Sequence, residues 1–212
     1  MNRPEWHTPK GERRRAELLR AAMTVIGERG YAGATQRSIA AEAGVPAAST
    51  HYFFDSVEDL VQQAAVAYLH ERLAIYEARL EEFAAGDRSP AAGCREVAEL
   101  LAAVSTQSRT AQFEIYLNAR RQPELQRTVL EVVARLEELA VRLLETMAVP
   151  EPERWAAAFL AMGDGFALRD VAGASDAVDA LEQALLAIVI AGRVDDRTKA
   201  ELTGREGRTS KR

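Results

Sequence analysis

Cysteine is almost missing from this chain of 212 residues. Cys94 is its one thiol, so no disulfide can form within the chain, and the usage fits a reducing cytoplasm. Histidine is equally sparse. His7, His51 and His70 stand far apart with no metal-ligand spacing, so no metal or other cofactor is expected. A nucleophile–base pair is also lacking, and an enzyme is not expected. No apolar run approaches the ~20 residues of a membrane span. The N-terminus "MNRPEWHTPKGERRR" has charge but no apolar core, which argues against a secretory signal. Strand-like alternation and internal repeats are absent as well.

What the chain does have is apolar content and helix formers. Apolar residues make up 48%, too many for a disordered chain, and Ala, Leu, Glu and Arg dominate. The net charge of −5 argues against nucleic-acid binding by the whole surface. Its distribution is uneven. Residues 1–54 hold eight Arg or Lys against five Asp or Glu, a net +3, so the remainder carries −8. A basic head on an acidic body is the asymmetry of a DNA-binding module, although a difference of this size also arises by chance.

The periodicity predicts about nine helices in series, an all-α fold. In the first, Leu18, Leu19, Ala22, Val25 and Ile26 form one apolar stripe that stops at Gly30. Thr35 can cap a short second helix that buries Ile39, Ala40 and Ala43 and closes at Gly44. Pro46 suits the first turn of a third helix of about two turns, ending at Phe54. Ser56 and Asp59 form a capping box for a long helix running to about Phe83. Further helices are expected at roughly 91–107, 109–120, from Pro123 to "AVPEP", at 151–172 and at 176–193. The tail from Asp195 is polar and expected to be disordered.

Short helix, glycine turn, short helix is the helix-turn-helix arrangement. The small residues Ala47, Ala48 and Ser49 would let the third helix approach base edges, while Thr50, His51 and Tyr52 bring groups able to reach bases or phosphates. A plain helical corner with core aromatics has the same bare spacing. The stretch "GERGYAGATQRSIAAEAGVPAASTHYFFDSVEDL" goes further, because it resembles the N-terminal domain of the TetR family of transcriptional regulators. The likeness lies in Gly30, Tyr31, Thr35, Arg37, Ile39, Ala40, Ala43, Gly44, Val45, Phe54, Ser56, Glu58 and Leu60. The chain departs from the pattern at Pro46, Ala48, Thr50, His51 and Val57, the last standing where a phosphate-binding Lys is usual.

The resemblance implies an N-terminal helix-turn-helix three-helix DNA-binding domain over 1–56, with residues 1–10 as a flexible arm. A ligand-binding and dimerisation domain would follow over 57–194, with 195–212 as the tail. Thr35, Gln36 and Arg37 would contact phosphates or a flanking base. Ala47, Ala48, Ser49, His51 and Phe53 would face the groove, Tyr52 would meet the backbone, and Phe54 would be core. The arm, with Lys10 and Arg13 to Arg15, would lie near phosphates or the minor groove. The resemblance also implies a homodimer through helices 151–172 and 176–193, a double-stranded DNA operator with palindromic half-sites, and a small apolar or aromatic effector that releases a repressor. Candidate effector contacts are Tyr68, Leu101, Phe113, Tyr116, Leu117, Trp155, Phe159, Met162 and Phe166, with Gln112, Asn118 and Asp164 as polar groups nearby. The alternative is a DNA-binding regulator with no small-molecule switch, controlled by a protein partner or constitutive.

Overall fold

The computed structural model describes residues 8–174, 178–195 and 197–198. Among these residues lie eight α-helices and two 3-10 segments, and no strand. In chain order they are α1 (Pro9–Arg29), a 3-10 turn (Tyr31–Gly33), α2 (Gln36–Glu42), a second 3-10 segment (Ala47–Tyr52), α3 (Val57–Ala85), α4 (Pro90–Ala102), α5 (Thr106–Ala119), α6 (Pro123–Thr146), α7 (Pro152–Val171) and α8 (Val178–Arg193). With the second 3-10 segment counted, they are the nine helices of the sequence reading.

The helix starts follow local chemistry. Thr8, Thr35, Ser56, Ser89 and Ser105 each accept a backbone N–H of the first turn through the side-chain oxygen. Each such cap stabilises its helix by about 1 kcal/mol. Proline opens α1, α4, α6 and α7, where its missing N–H costs nothing. Residues 8–10, expected within the arm, form the cap and first turn of α1. Residues 1–7 and most of the expected tail lie outside the described residues. The break between α4 and α5 falls at residues 103–105, earlier than the pattern suggested, because the Ser105 hydroxyl takes the Ser108 N–H and restarts the helix.

Three buried clusters hold the molecule together. The first joins α1, α2 and the start of α3 around Leu18, Ile26, Ile39, Phe54 and Leu60, and includes Ala111 from α5. The second sets α3 against α5 and α6 through Leu69, Ile115 and Leu125. The third gathers the end of α3 with α4, α6, α7 and α8 around Cys94, Leu144, Met147 and Leu185. Each fully buried Leu or Ile contributes about 1.5–3 kcal/mol by leaving water.

Two consequences are measurable. Cys94 is fully buried, and loss of water, with Glu182 nearby, pushes its thiol up to about 12. Ellman's reagent near neutral pH is therefore expected to leave the native thiol untouched and to react once the protein is unfolded. Fast labelling of native protein would contradict the burial. Ala148 closes α6 in the left-handed region with φ of 55°, where its N–H donates to the Glu145 carbonyl at 2.8 Å. A Cβ there is costly, so Ala148→Gly is expected to raise stability by about 0.5–1 kcal/mol in a urea titration.

Candidate nucleic-acid interface and ligand cavity

The turn between α2 and the second 3-10 segment follows from one glycine. Gly44 sits at φ of 65°, the left-handed region. Its N–H donates to the Ala41 carbonyl at 3.1 Å, and the Val45 N–H to the Ala40 carbonyl at 2.9 Å. This is the Schellman pattern, and it satisfies two carbonyls at the end of α2 while Val45 packs onto the core. Ala40 is 1% exposed, a small residue as the crossing of the motif's two helices requires.

The second helix of the motif differs from the expected two-turn α-helix. Ala47–Tyr52 is a 3-10 segment, and Pro46 precedes it as the cap. The cause lies in Thr50. This residue takes a usually apolar position and is 3% exposed, so its hydroxyl needs partners. It donates to the Ala47 carbonyl at 2.8 Å and accepts from the Gln36 amide. The back-bond over three residues favours the tighter winding of a 3-10 turn.

The side chains divide accordingly. Ala47, Ala48, His51 and Tyr52 are exposed, and Ser49 is half-buried. Arg37 is exposed on α2 and has no ion pair among the described residues. Thr35 is exposed, but its hydroxyl is engaged in the cap with Ser38. Gln36 is turned inward to Thr50 and Ala47 rather than held free for a phosphate. Phe53 does not point freely outward either: it packs on the core beside Phe54, with its ring 5.0 Å from that of Tyr52, edge to face. Phe54 is 4% exposed, as expected for the anchor, and the Arg15 guanidinium lies 5.3 Å over its ring.

A cleft of about 1080 Å³, mouth included, opens between α3, α4, α5, α6 and α7. Its walls include Tyr76, Leu101, Gln112, Leu139, Phe159 and Asp164. Of the nine candidate contacts, Leu101 and Phe159 stand in this wall, and Phe166 lines an adjoining pocket. The other six are placed elsewhere. Tyr68 donates its hydroxyl to the Ser108 carbonyl at 3.2 Å, and Tyr116 accepts from Gln112 at 3.2 Å. Phe113 stacks edge-on to Tyr116, while Trp155 and Met162 pack on the core of α7 and α8. Leu117 is 71% exposed. Asn118 spends its amide on the Glu114 carbonyl of its own helix.

Burial pushes the Tyr68 and Tyr116 hydroxyls up to about 12, and the Asp164 carboxylate adds to the rise at Tyr116. The Asp164 carboxyl is itself raised by partial loss of water. Sequence reading missed Tyr76, Arg79, Glu96 and Arg109 in the wall. Helical spacing from Tyr68 pointed to Tyr76, eight residues along the same helix. Nothing local distinguishes the two arginines from solvated ones.

A helix-turn-helix head with an exposed face that carries Arg37 and hydroxyl groups, packed on a helical body with an open cleft, is the architecture of a DNA-binding transcriptional regulator. The family model for a tetracyclin repressor-like C-terminal domain matches residues 85–191, and that for bacterial regulatory proteins of the tetR family matches residues 18–64. The HTH-type transcriptional regulator BetI of Rhizobium meliloti is 31% identical over 164 residues, covering 74% of this chain and 77% of that protein. The nicotine-responsive transcriptional repressor HdnoR of Paenarthrobacter nicotinovorans is 30% identical over 174 residues, covering 77% and 86%. Among solved structures, a TetR-family regulator from Mesorhizobium loti superposes with TM-score 0.73 at 18% identity, over 87% of this chain and 96% of that one. A regulator from Saccharomonospora viridis, solved in complex with choline, superposes with TM-score 0.70 at 18% identity, over 84% and 96%. The chain belongs to the TetR family of bacterial transcriptional regulators.

The exposed face generates a separable pair of outcomes. Arg37→Ala is expected to weaken binding to every DNA sequence alike and to reduce the salt slope by about one. His51→Ala is expected instead to relax one base preference by about 1–3 kcal/mol. Anisotropy titrations on specific and random duplexes, at two salt concentrations, tell them apart. An equal effect of both variants on both duplexes would refute the division.

Proposed function

We propose that the protein is a homodimeric repressor that leaves a palindromic operator when a small apolar or aromatic effector fills the cleft. Residues 1–56 serve as the DNA-binding domain and 57–194 as the effector and dimerisation domain, acting in the cytoplasm. Ser49, His51, Tyr52 and Arg37 make the DNA contacts, with Ala47 and Ala48 allowing close approach. Two relatives lend support to the effector. One is described as nicotine-responsive and one was solved with choline, both small organic molecules with a nitrogen that carries positive charge.

The observation that carries this reading is that α5 touches both ends of the switch. Arg109 and Gln112 on α5 stand in the cleft wall. On the same helix, the Gln107 amide donates to the Thr24 carbonyl at 3.3 Å and to Glu28 at 3.1 Å. Glu114 accepts the Tyr31 N–H at 2.9 Å, and Gln122 just beyond α5 donates to the Tyr31 hydroxyl at 2.7 Å. Tyr31 opens the 3-10 turn that leads into α2. An effector that shifts α5 therefore shifts α1 and the turn that sets the angle of α2. Only an effector with different affinity for the two arrangements can move them, typically with ~1–3 kcal/mol of coupling.

The dimer reading rests on the outer faces of α7 and α8. Ala157, Ala161 and Leu168 on α7, and Ala187 and Ile190 on α8, are exposed along the helices, with Leu168 at 54% and Ile190 at 55%. Small residues allow close helix packing, and pairing with a second copy gives a four-helix bundle and two recognition segments in register with operator half-sites.

Two variants test the halves of this reading. Leu168→Glu with Ile190→Glu is expected to yield monomers in light scattering and to lose at least tenfold in operator affinity. Glu114→Ala is expected to keep a dimer that binds operator, while the effector-induced drop in affinity shrinks from the tenfold range to a few-fold. A band-shift survey of the DNA flanking its own coding region that gives no salt-sensitive, sequence-specific complex would sink the regulator role proposed here.

A further inference from the structure

The cleft wall carries four charged side chains, and three of them are already matched. Arg79 pairs with Glu96 at 2.7 Å and with Glu82 at 2.9 Å. Arg109 pairs with Asp170 and donates to the Leu101 carbonyl at 2.6 Å. Asp164 alone among the wall's charges has no hydrogen bond or ion pair with any described residue. It stands on α7 between Leu160 and Ala167, which also line the cleft. Around it the wall is apolar, and Tyr76, Phe83 and Phe159 contribute aromatic rings.

Asp164 is exposed to water at the rim of the cleft, so its charge is tolerated when the cleft is empty. The apolar wall on its cleft side raises its carboxyl by partial loss of water. An occupant with positive charge is attracted by this carboxylate, and one with negative charge is repelled by it. Among the described residues Arg72 also has no ion pair, and its buried Nε has no hydrogen-bond partner. It does not line the cleft: its guanidinium lies 4.9 Å over the Tyr76 ring and donates to the Tyr76 hydroxyl at 3.0 Å. The Tyr76 ring thus separates Arg72 from an occupant, and Asp164 is the unmatched charge that an occupant meets.

We propose that the effector of this cleft is a small organic cation with an apolar or aromatic body, and that the Asp164 carboxylate is its counter-ion. The cationic nitrogen sits at the α7 side of the mouth, against Asp164. The body enters the apolar space between Leu101, Leu139 and Phe159, where aromatic rings add to cation binding. The shape of the cleft admits many apolar molecules, and the carboxylate selects among them by charge. The inference rests on the effector-responsive reading above and specifies the chemistry of that site.

The test uses the full chain and three probes of similar shape: phenyltrimethylammonium, its uncharged isostere tert-butylbenzene, and 4-tert-butylbenzoate. Binding is measured by calorimetry, and release of operator DNA by anisotropy. Phenyltrimethylammonium is expected to bind about tenfold or more tighter than tert-butylbenzene, with the benzoate weakest. Asp164→Asn is expected to erase that preference, and Asp164→Glu, which keeps the charge, to retain most of it. A neutral or anionic probe that binds as tightly as the cation, or a preference that survives Asp164→Asn, overturns the charge assignment. If tert-butylbenzene or the benzoate releases operator while the cation does not, the assignment fails and the effector reading stands. If none of the three binds or releases operator, both fail.

Discussion

The contact on which the rest of the molecule depends is the close approach of α1 to α5. It occurs at Gly27, where a Cβ would lie 2.5 Å from the Gln107 carbonyl oxygen, closer than real Cβ contacts come. Only the absence of a side chain lets the two backbones meet at this distance. The Gln107 amide then reaches across to Thr24 and Glu28, and Ala111, one turn further on, is buried in the cluster that holds α1, α2 and Phe54. The head is therefore not a bead on the end of α3. It is fastened to the body along a second helix, and that helix also forms part of the cleft wall. A movement of α5 cannot be absorbed by loose packing, because interiors at this density transmit displacement.

The DNA-facing side shows a related economy of parts. A short 3-10 segment has too few hydrogen bonds to persist alone. Here it is held at one end by Phe54 in the core and in the middle by Thr50, whose hydroxyl links Gln36 of α2 to the Ala47 carbonyl. Burial of a hydroxyl without a partner costs a few kcal/mol, and two partners remove that cost. The same arrangement diverts Gln36 and Phe53 from the roles their family positions suggest. Of the expected DNA contacts, Thr35, Arg37, Ala47, Ala48, His51 and Tyr52 stay exposed and Ser49 is half-buried. With Val57 in place of the usual Lys, the positive charge of this surface is small. On the proposed reading, recognition by such a surface would depend more on base edges and close fit than on counterion release.

The cleft is organised by cancellation of charge. Two arginines in an apolar wall would favour an anion were they free, but Arg79 and Arg109 each have a carboxylate within ion-pair distance. Geometry of this sort cannot be inferred from residue types, since each pair joins different helices: α3 with α4, and α5 with α7. The one carboxylate left over lies in the segment Gly163-Asp164-Gly165, where sequence reading offered Asp164 only as a polar group near the effector contacts. α7 runs through it without a break.

The helical series, most helix starts and the turn at Gly44 were legible in the sequence, because they depend on contacts within about four residues. A hydroxyl two or three residues ahead of an N–H, a proline in a first turn and a glycine with positive φ act locally. The family pattern at Gly30, Thr35, Arg37, Gly44 and Phe54 was legible for the same reason, and it placed the head. Which aromatics would face the cleft was not. Tyr68, Phe113, Tyr116 and Trp155 have the same helical spacing as Tyr76 and Phe159, and only the rotation of each helix against its neighbours decides which ring meets empty space. The sequence by itself determined an all-helical regulator with a helix-turn-helix head. The tertiary structure decided that Thr50 winds the recognition segment into a 3-10 form, that α5 joins cleft to head, and that Asp164 is left unpaired among the cleft's charges. These arrangements draw on groups 14 to 91 residues apart in the chain, and such distances close only when the helices pack.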